Sequence, residues 1–284
     1  MDAIGKGLAD FLILKISIIT VVLNDPSGFC RTADSILNQD YVPVEWIVID
    51  GGSIDNTIAS IHDYEKHLTF WVSEPDNGPY DAMNKGLAKA TGEWVMFINS
   101  GDTFAGPDVL SGIFNDDIFG VDVIYGDWIT DYKRFRVLQK AGSPSSLQKG
   151  MVFCHQAMAF RTTLARDCGF NQGFPIGADY DMIYNLYVAG SKFRYFQLPF
   201  AVVEAFGISH RNMVRSAREH YAILHRYKNL TFKDKINHSM KICFLWLITG
   251  TYKVLPMDIM LNVIKFNHRR DLVQLPAGIS GFKH

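Results

Sequence analysis

The chain has 284 residues, 48% of them hydrophobic and 20% charged, which suits one sizeable α/β domain with appended elements, or two small domains, and excludes a disordered or fibrous chain. Its 28 lysines and arginines against 29 aspartates and glutamates exclude a nucleic-acid binder driven by bulk positive charge. The four cysteines, Cys30, Cys154, Cys168 and Cys243, show neither CxxC nor zinc-ligand spacing, so a reducing, cytoplasmic setting is expected.

Lys15 interrupts the apolar run near the N-terminus and no small-residue cleavage site follows, so the segment reads as a buried first strand and not as a signal peptide. From Leu12 to about Ile98, short apolar runs alternate with longer amphipathic ones, the rhythm of a parallel sheet with crossover helices. The predicted strands are Ile16–Leu23, Trp46–Asp50, Leu68–Val72 and Trp94–Ile98, with helices near Gly28–Gln39, Asn56–Tyr64 and Tyr80–Ala90. Asn24, Asp50 and the run Asn99 to Asp102 fall just past the carboxyl ends of three of these strands. Ligands bind at that edge of an open α/β sheet. Beyond Asp102 the pattern predicts strands at Val121–Tyr125, Phe135–Leu138 and Ala157–Phe160, a helix over Asp179–Ala189, strands near Phe193–Phe196 and Ala201–Ala205, and helices after Arg211. A mixed sheet follows from that order.

Three segments carry candidate chemistry. Asp50-Gly51-Gly52-Ser53 ends a strand with two glycines that allow close backbone approach to a flat ligand, and Asp50 can accept from a base or ribose. A capped strand-to-helix turn explains the same residues. In the second segment, Asp81, Asn84 and Lys85 share a helix face, and Lys85 could meet a diphosphate; an internal Asp81–Lys85 ion pair is the plain alternative. In the third, Asn99-Ser100-Gly101-Asp102 puts a carboxylate at a strand exit, where a hard divalent cation such as Mn²⁺ or Mg²⁺ takes oxygen ligands shared with substrate phosphates. Hydrogen bonding within the turn is again the plain alternative.

Taken with Ser17 to Asn24, Asn84-Lys85-Gly86 and Gly92-Glu93-Trp94, these segments resemble glycosyltransferase family 2, in order and spacing, over roughly residues 16–210. The resemblance implies a GT-A fold, an α/β architecture with a nucleotide-binding half over 1–102, an acceptor-binding half over 103–210 and a helical extension over 211–284. It further implies transfer, with inversion, from a nucleotide-diphosphate sugar, of which a UDP-sugar is the family habit, to a saccharide or lipid-linked saccharide in bacterial surface polysaccharide synthesis. By resemblance the donor site takes Thr20, Asn24, Asp50, Gly52, Ser53, Asp81, Asn84, Lys85, Ser100 and Gly101; Asp50 contacts the base and Asp102 is the retained acid of the metal motif. Asp179 matches the catalytic base and Asp181 its supporting acid, and both also suit a helix N-terminus. His155 and Gln156 match a recurring His-Gln that faces the acceptor, and His210 is placed near the diphosphate or metal.

Two departures stand out: Ser100 occupies a place where many members carry Asp, and Ala178 one where they carry Glu. They keep open a degenerate protein that only binds glycans or nucleotide sugars. A nucleotidyltransferase would carry a Gly-rich basic loop after the first strand, which Val22 to Ser27 lacks, and no GxGxxG follows a strand as a dinucleotide oxidoreductase requires. In the tail, Arg211, Arg215, Arg218, Arg226, Lys228, Lys233 and Lys235 face only Glu219 and Asp234 before the apolar run Ile242–Ile248. That run is far short of the roughly 20 residues of a spanning helix. It predicts either a helix lying on an anionic membrane surface, at the cytoplasmic face, or packing on the catalytic domain or a second copy of the chain.

Overall fold

Strands buried on both faces are built mainly of apolar side chains, and β1 (Ile16–Val22) is buried along its whole length, with only Ser17 and Thr20 polar and both hydrogen-bonded. The computed structural model describes residues 14–228, 231–252 and 256–273, without the side chains of 210, 233, 247–248 and 250–252; the N-terminal run before residue 14 lies outside the described residues. Asp25 caps α1 (Pro26–Leu37) by accepting from the Gly28 N–H, and Pro26 starts the helix with the φ it already has. β2 (Val44–Asp50), α2 (Thr57–Asp63), β3 (Phe70–Ser73), α3 (Pro79–Lys89) and β4 (Trp94–Phe97) follow. β1 lies parallel between β2 and β4, and β3 lies outside β2. The four predicted strands are therefore all present. Gly86 lets α3 lie close against β1: a Cβ there would come within 2.6 Å of Ile19 Cγ2. Glu45 fastens the other end of the sheet. Its buried carboxylate accepts from Ser17 Oγ at 2.5 Å, the Thr91 N–H at 2.7 Å and Lys15 Nζ at 2.9 Å. Burial opposes that charge, but these donors outweigh it and hold the carboxyl at about 2.

The second half adds β5 (Thr103–Phe104), α4 (Val109–Phe114), β6 (Val123–Asp131), β7 (Arg136–Gln139), β8 (Met158–Arg161), α5 (Thr162–Cys168), α6 (Ala178–Val188) and β9 (Phe193–Glu204). Antiparallel β8 joins β4 to β6, while β9 runs parallel to β6, so the sheet is mixed as expected. The strands predicted separately near 193–196 and 201–205 are one continuous β9. Gln197 to Pro199, which suggested a break, is absorbed as a register shift against Gly126 and Asp127. α4 and α5 escaped prediction because six and seven residues are too few for a helical period to accumulate.

Apolar side chains fill both sides of the sheet. Ile18, Phe29, Trp46 and Trp94 lie in one cluster, and Ile19, Phe97, Phe160 and Tyr180 in the other. After β9 come α7 (Ile208–Arg211), α8 (Met213–Tyr227), α9 (Phe232–Tyr252), α10 (Met257–Asn267) and β10 (Leu272–Val273). α8 is bound firmly to the sheet domain. Ile223 is fully buried, and Glu219 Oε2 accepts from the N–H groups of Ile176 and Gly177, at 2.9 Å each. Those amides lead into α6. Unpaired, they would be costly at this depth, so α8 fixes where α6 begins.

Candidate active site

The carboxyl ends of β1, β2 and β3 are knitted together by Asp50. It is fully buried, and it accepts from the N–H groups of Gly52 and Ser53, from Ser53 Oγ and from Ser73 Oγ. Asn24 completes the knot: its N–H donates to Ser53 Oγ, and its Oδ1 accepts from the Ile54 N–H. Asp50, Asn24, Gly52 and Ser53 thus form a shaped loop rim with the Asp50 carboxylate turned inward. Direct contact from Asp50 to a base, as the resemblance implies, is not available in this arrangement. Thr20 departs from expectation outright. It is fully buried within β1 and accepts from the Trp46 indole N–H at 3.0 Å, so a nucleotide has no access to it.

On α3, Asp81 accepts from the Asn77 N–H and from Gln172 Nε2. Lys85 lies 2.9 Å from Glu74 and 3.8 Å from Asp81. The expected pair therefore exists, but Glu74 is the nearer partner. Asn84 is occupied elsewhere: its amide nitrogen donates to the Phe170 carbonyl and its oxygen accepts from the Phe170 N–H, both at 2.8 Å. It ties α3 to the loop before α6 and does not face an open donor pocket.

The central cavity, about 620 Å³, lies past the end of β4 and is walled by β6, the 3₁₀ turn His155–Ala157, the start of α6 and the end of β9. Asn99, Ser100, Asp102, His155, Gln156 and Asp179 all line it. Six candidates from three distant stretches of sequence meet here. Gly101, at φ 92°, makes the turn that directs Asp102 inward, a backbone shape that costs glycine little. Asp102 Oδ2 accepts from Gln156 Nε2 at 2.8 Å and Oδ1 from the Glu204 N–H at 3.3 Å. Burial raises its pKa to about 6 against the lowering effects of Gln156 and His155. Ser100, in place of the more usual Asp, donates to Asp25 Oδ2 at 2.8 Å.

Asp179 sits in the first turn of α6. Its Oδ2 lies 3.3 Å from His155 Nδ1, and its Oδ1 accepts from the Tyr180 N–H at 2.8 Å and from Tyr80 Oη at 3.1 Å. Burial alone would raise this carboxyl. The bond and charge of His155, the charge of His220 and the Tyr180 amide outweigh it, leaving the pKa below its ordinary value. The Asn99 side-chain nitrogen lies 3.4 Å from His155 Nε2, a geometry satisfied when His155 carries its proton on Nδ1 and donates it to Asp179.

Asp181 does not join this site. Residues two apart on a helix point to opposite sides, and Asp181 Oδ2 faces Asn171 at 3.2 Å and Arg226 at 3.4 Å, away from the cavity. The side chain of His210 lies outside the described residues. Sequence reasoning assigned no role to Tyr80, Asp25, Glu204 or Glu219. Tyr80 follows Gly78-Pro79 at a helix start, one residue before Asp81, the one signal that could have found it. Glu204 belongs to a strand whose end only the β6 register fixes; it accepts from Arg31 at 2.8 Å and from Lys133.

Among the described residues, no three His, Cys, Asp or Glu side chains are grouped so as to hold a metal ion by themselves. Asp102 is a single hard-oxygen ligand with a raised pKa at the cavity wall. That donor set fits Mg²⁺ or Mn²⁺, which are commonly held by one or two carboxylates and completed by phosphate oxygens and water.

The fold and cavity define a GT-A type α/β protein with an acid-lined site at the carboxyl edge of a Rossmann-like half. The chain belongs to glycosyl transferase family 2, whose model matches residues 17–175. It is 38% identical over 176 residues to an uncharacterized glycosyltransferase of Mycobacterium tuberculosis (strain H37Rv), covering 59% of this chain and 67% of that one. It is 32% identical over 171 residues to a PGL/p-HBAD biosynthesis glycosyltransferase of Mycobacterium bovis (strain BCG), covering 58% and 66%. The fold is shared with glucosyl-3-phosphoglycerate synthase of Mycobacterium tuberculosis, solved with Mn²⁺, uridine diphosphate and glucosyl-3-phosphoglycerate. That match has a TM-score of 0.56 at 17% identity, over 77% of this chain and 82% of that one.

Proposed function

We propose that the chain is an inverting glycosyltransferase that moves a sugar from a UDP-sugar to a hydroxyl of a saccharide or lipid-linked saccharide during surface polysaccharide synthesis. The observation that carries this reading is the meeting of Asp179 and Asp102 in one cavity, supplied by chain segments far apart in sequence. A single displacement at the anomeric carbon forms a bond to the acceptor oxygen as the bond to the diphosphate breaks, leaving its electron pair on the diphosphate. Asp179, kept ionised by His155 and the Tyr180 amide, takes the acceptor proton; a positioned base contributes about 10²–10⁴ in rate. Tyr80 and His155 hold that carboxylate in place. Asp102 would hold a divalent cation, which when bound offsets charge on the departing diphosphate. The Mn²⁺ and uridine diphosphate held by the glucosyl-3-phosphoglycerate synthase of the same fold support the metal and donor assignments. Incubation with a panel of nucleotide sugars, Mn²⁺ and saccharide acceptors tests the reading. UDP release with a product of inverted anomeric configuration is expected; no release above background with any donor would favour the degenerate binding protein.

The same reading places the chain at the cytoplasmic face of the membrane through α9. Phe232, Ile236, Met240 and Phe244 recur every four residues and are 78%, 43%, 66% and 62% exposed, so they share one helix face. Among the described residues no helix is long and apolar enough to cross a membrane. An apolar face on a helix that also carries Lys235 and Lys241 suits the headgroup region of anionic lipid, where each basic residue is worth about 1 kcal/mol. Co-sedimentation with anionic vesicles, lost in Met240→Glu/Phe244→Glu, is expected. Equal binding to neutral vesicles, or concentration-dependent dimerisation through this face in their absence, would overturn the membrane assignment.

A further inference from the structure

Beside the start of α6, α8, α9 and the 148–150 turn line a cleft of about 270 Å³, separate from the catalytic cavity. Its walls carry Lys149, Lys228 and Lys241 with His220 and His238, against a single carboxylate, Asp234. Asp234 is already engaged in capping α9, accepting from the N–H of Thr231 at 2.9 Å and its Oγ1 at 2.8 Å. None of the three lysines forms an ion pair among the described residues. Both imidazoles are held by tyrosine rings: His238 stacks on Tyr221 with centroids 3.9 Å apart, and His220 lies 4.4 Å from Tyr180.

Like charges gathered around a concavity repel one another, and a compact anion relieves that repulsion. The field acts on the histidines as well. Burial lowers the pKa of His238, and Lys241 and Arg218 lower it further. Burial and Lys241 lower that of His220, against the opposing charges of Asp179 and Glu219 behind it. A dianion with several oxygens matches five nitrogen-bearing side chains better than a lone carboxylate does, because each ammonium can donate to a separate oxygen. Lys241 Nζ would lie 3.8 Å from a Cβ placed on Gly150, so the ammonium group hangs over the turn that closes the cleft.

We propose that this cleft is a second ligand site that binds a phosphoryl group, separate from the diphosphate of the sugar donor. It does not rest on the catalytic reading. The ligand is the phosphate of a soluble metabolite or acceptor, or of a lipid headgroup, and the chemistry of recognition is the same. Met151 lines the catalytic cavity and Lys149 the cleft, so an occupant here adjoins the loop that shapes the catalytic site.

Titration of the full chain with inorganic phosphate, at constant ionic strength maintained with chloride, tests the site by calorimetry and by histidine NMR. Saturable binding is expected, with the His220 and His238 resonances titrating at higher pH once phosphate is bound. Lys149→Gln/Lys241→Gln should weaken phosphate binding at least about tenfold, Lys241→Arg should retain it, and Asp102→Asn should leave it unchanged. Competition by a short-chain phosphatidate would identify a lipid phosphate as an accepted ligand, whereas binding of inorganic phosphate without such competition would identify a soluble one. Absence of phosphate binding, or equal affinity in the wild type and the double glutamine variant, would overturn the proposal.

Discussion

His155 Nδ1 lies 3.3 Å from Asp179 Oδ2, which joins the turn before β8 to the first turn of α6 across the floor of the cavity. If Asp179 is the base, Asp179→Asn lowers kcat by about 10²-fold or more while UDP binding is kept. His155→Ala acts on the same carboxylate indirectly. Without the imidazole, burial is less opposed and the Asp179 pKa rises, so the acid limb of the kcat profile moves to higher pH. Rate against pH for the three proteins checks this; an unmoved acid limb in the histidine variant would remove His155 from the mechanism.

Asp102 links stability to pH in the direction opposite to most acids. Its folded pKa is about 6, above the roughly 3.9 of an unfolded aspartate. Between those values the folded state binds more protons than the unfolded state, so this group's contribution to stability falls as pH rises from about 4 to about 6. In chelator, Asp102→Asn should flatten that decline by on the order of 2 kcal/mol. Urea denaturation of both proteins at pH 4.5 and pH 7 measures the difference, and parallel profiles would contradict the assigned shift.

Asp181→Asn should leave kcat nearly intact, far from the roughly 10²-fold loss expected at Asp179. The reason is direction: Asp181 faces Asn171 and Arg226 instead of the cavity. Kinetics of the two asparagine variants side by side test the distinction, and equal losses would place both acids in the reaction.

Asn84→Ala removes both hydrogen bonds to the Phe170 backbone. Leaving that N–H and C=O unpaired costs roughly 2–4 kcal/mol. A fall in Tm with an unchanged Kd for UDP is expected; weaker UDP binding at unchanged Tm would return Asn84 to the donor pocket.

The sequence by itself determined the parallel half. Strands buried on both faces are built mainly of apolar side chains, so β1, β2 and β4 stand out as short hydrophobic runs, and the polar residues following them mark the ligand edge. It also placed Asp102, Asp179, His155 and Gln156 among the candidates, because each belongs to a local motif. What those residues do to one another was decided only by tertiary structure. The Gln156–Asp102 and His155–Asp179 contacts depend on β8 pairing antiparallel with β4 and on α6 starting where Glu219 of α8 receives its first amides. Thr20, Asn84 and Asp181 lie in or beside matching motifs, yet their side chains are taken up by Trp46, Phe170 and Arg226. A motif fixes residue type and spacing; which way a side chain turns depends on packing partners brought from elsewhere in the chain.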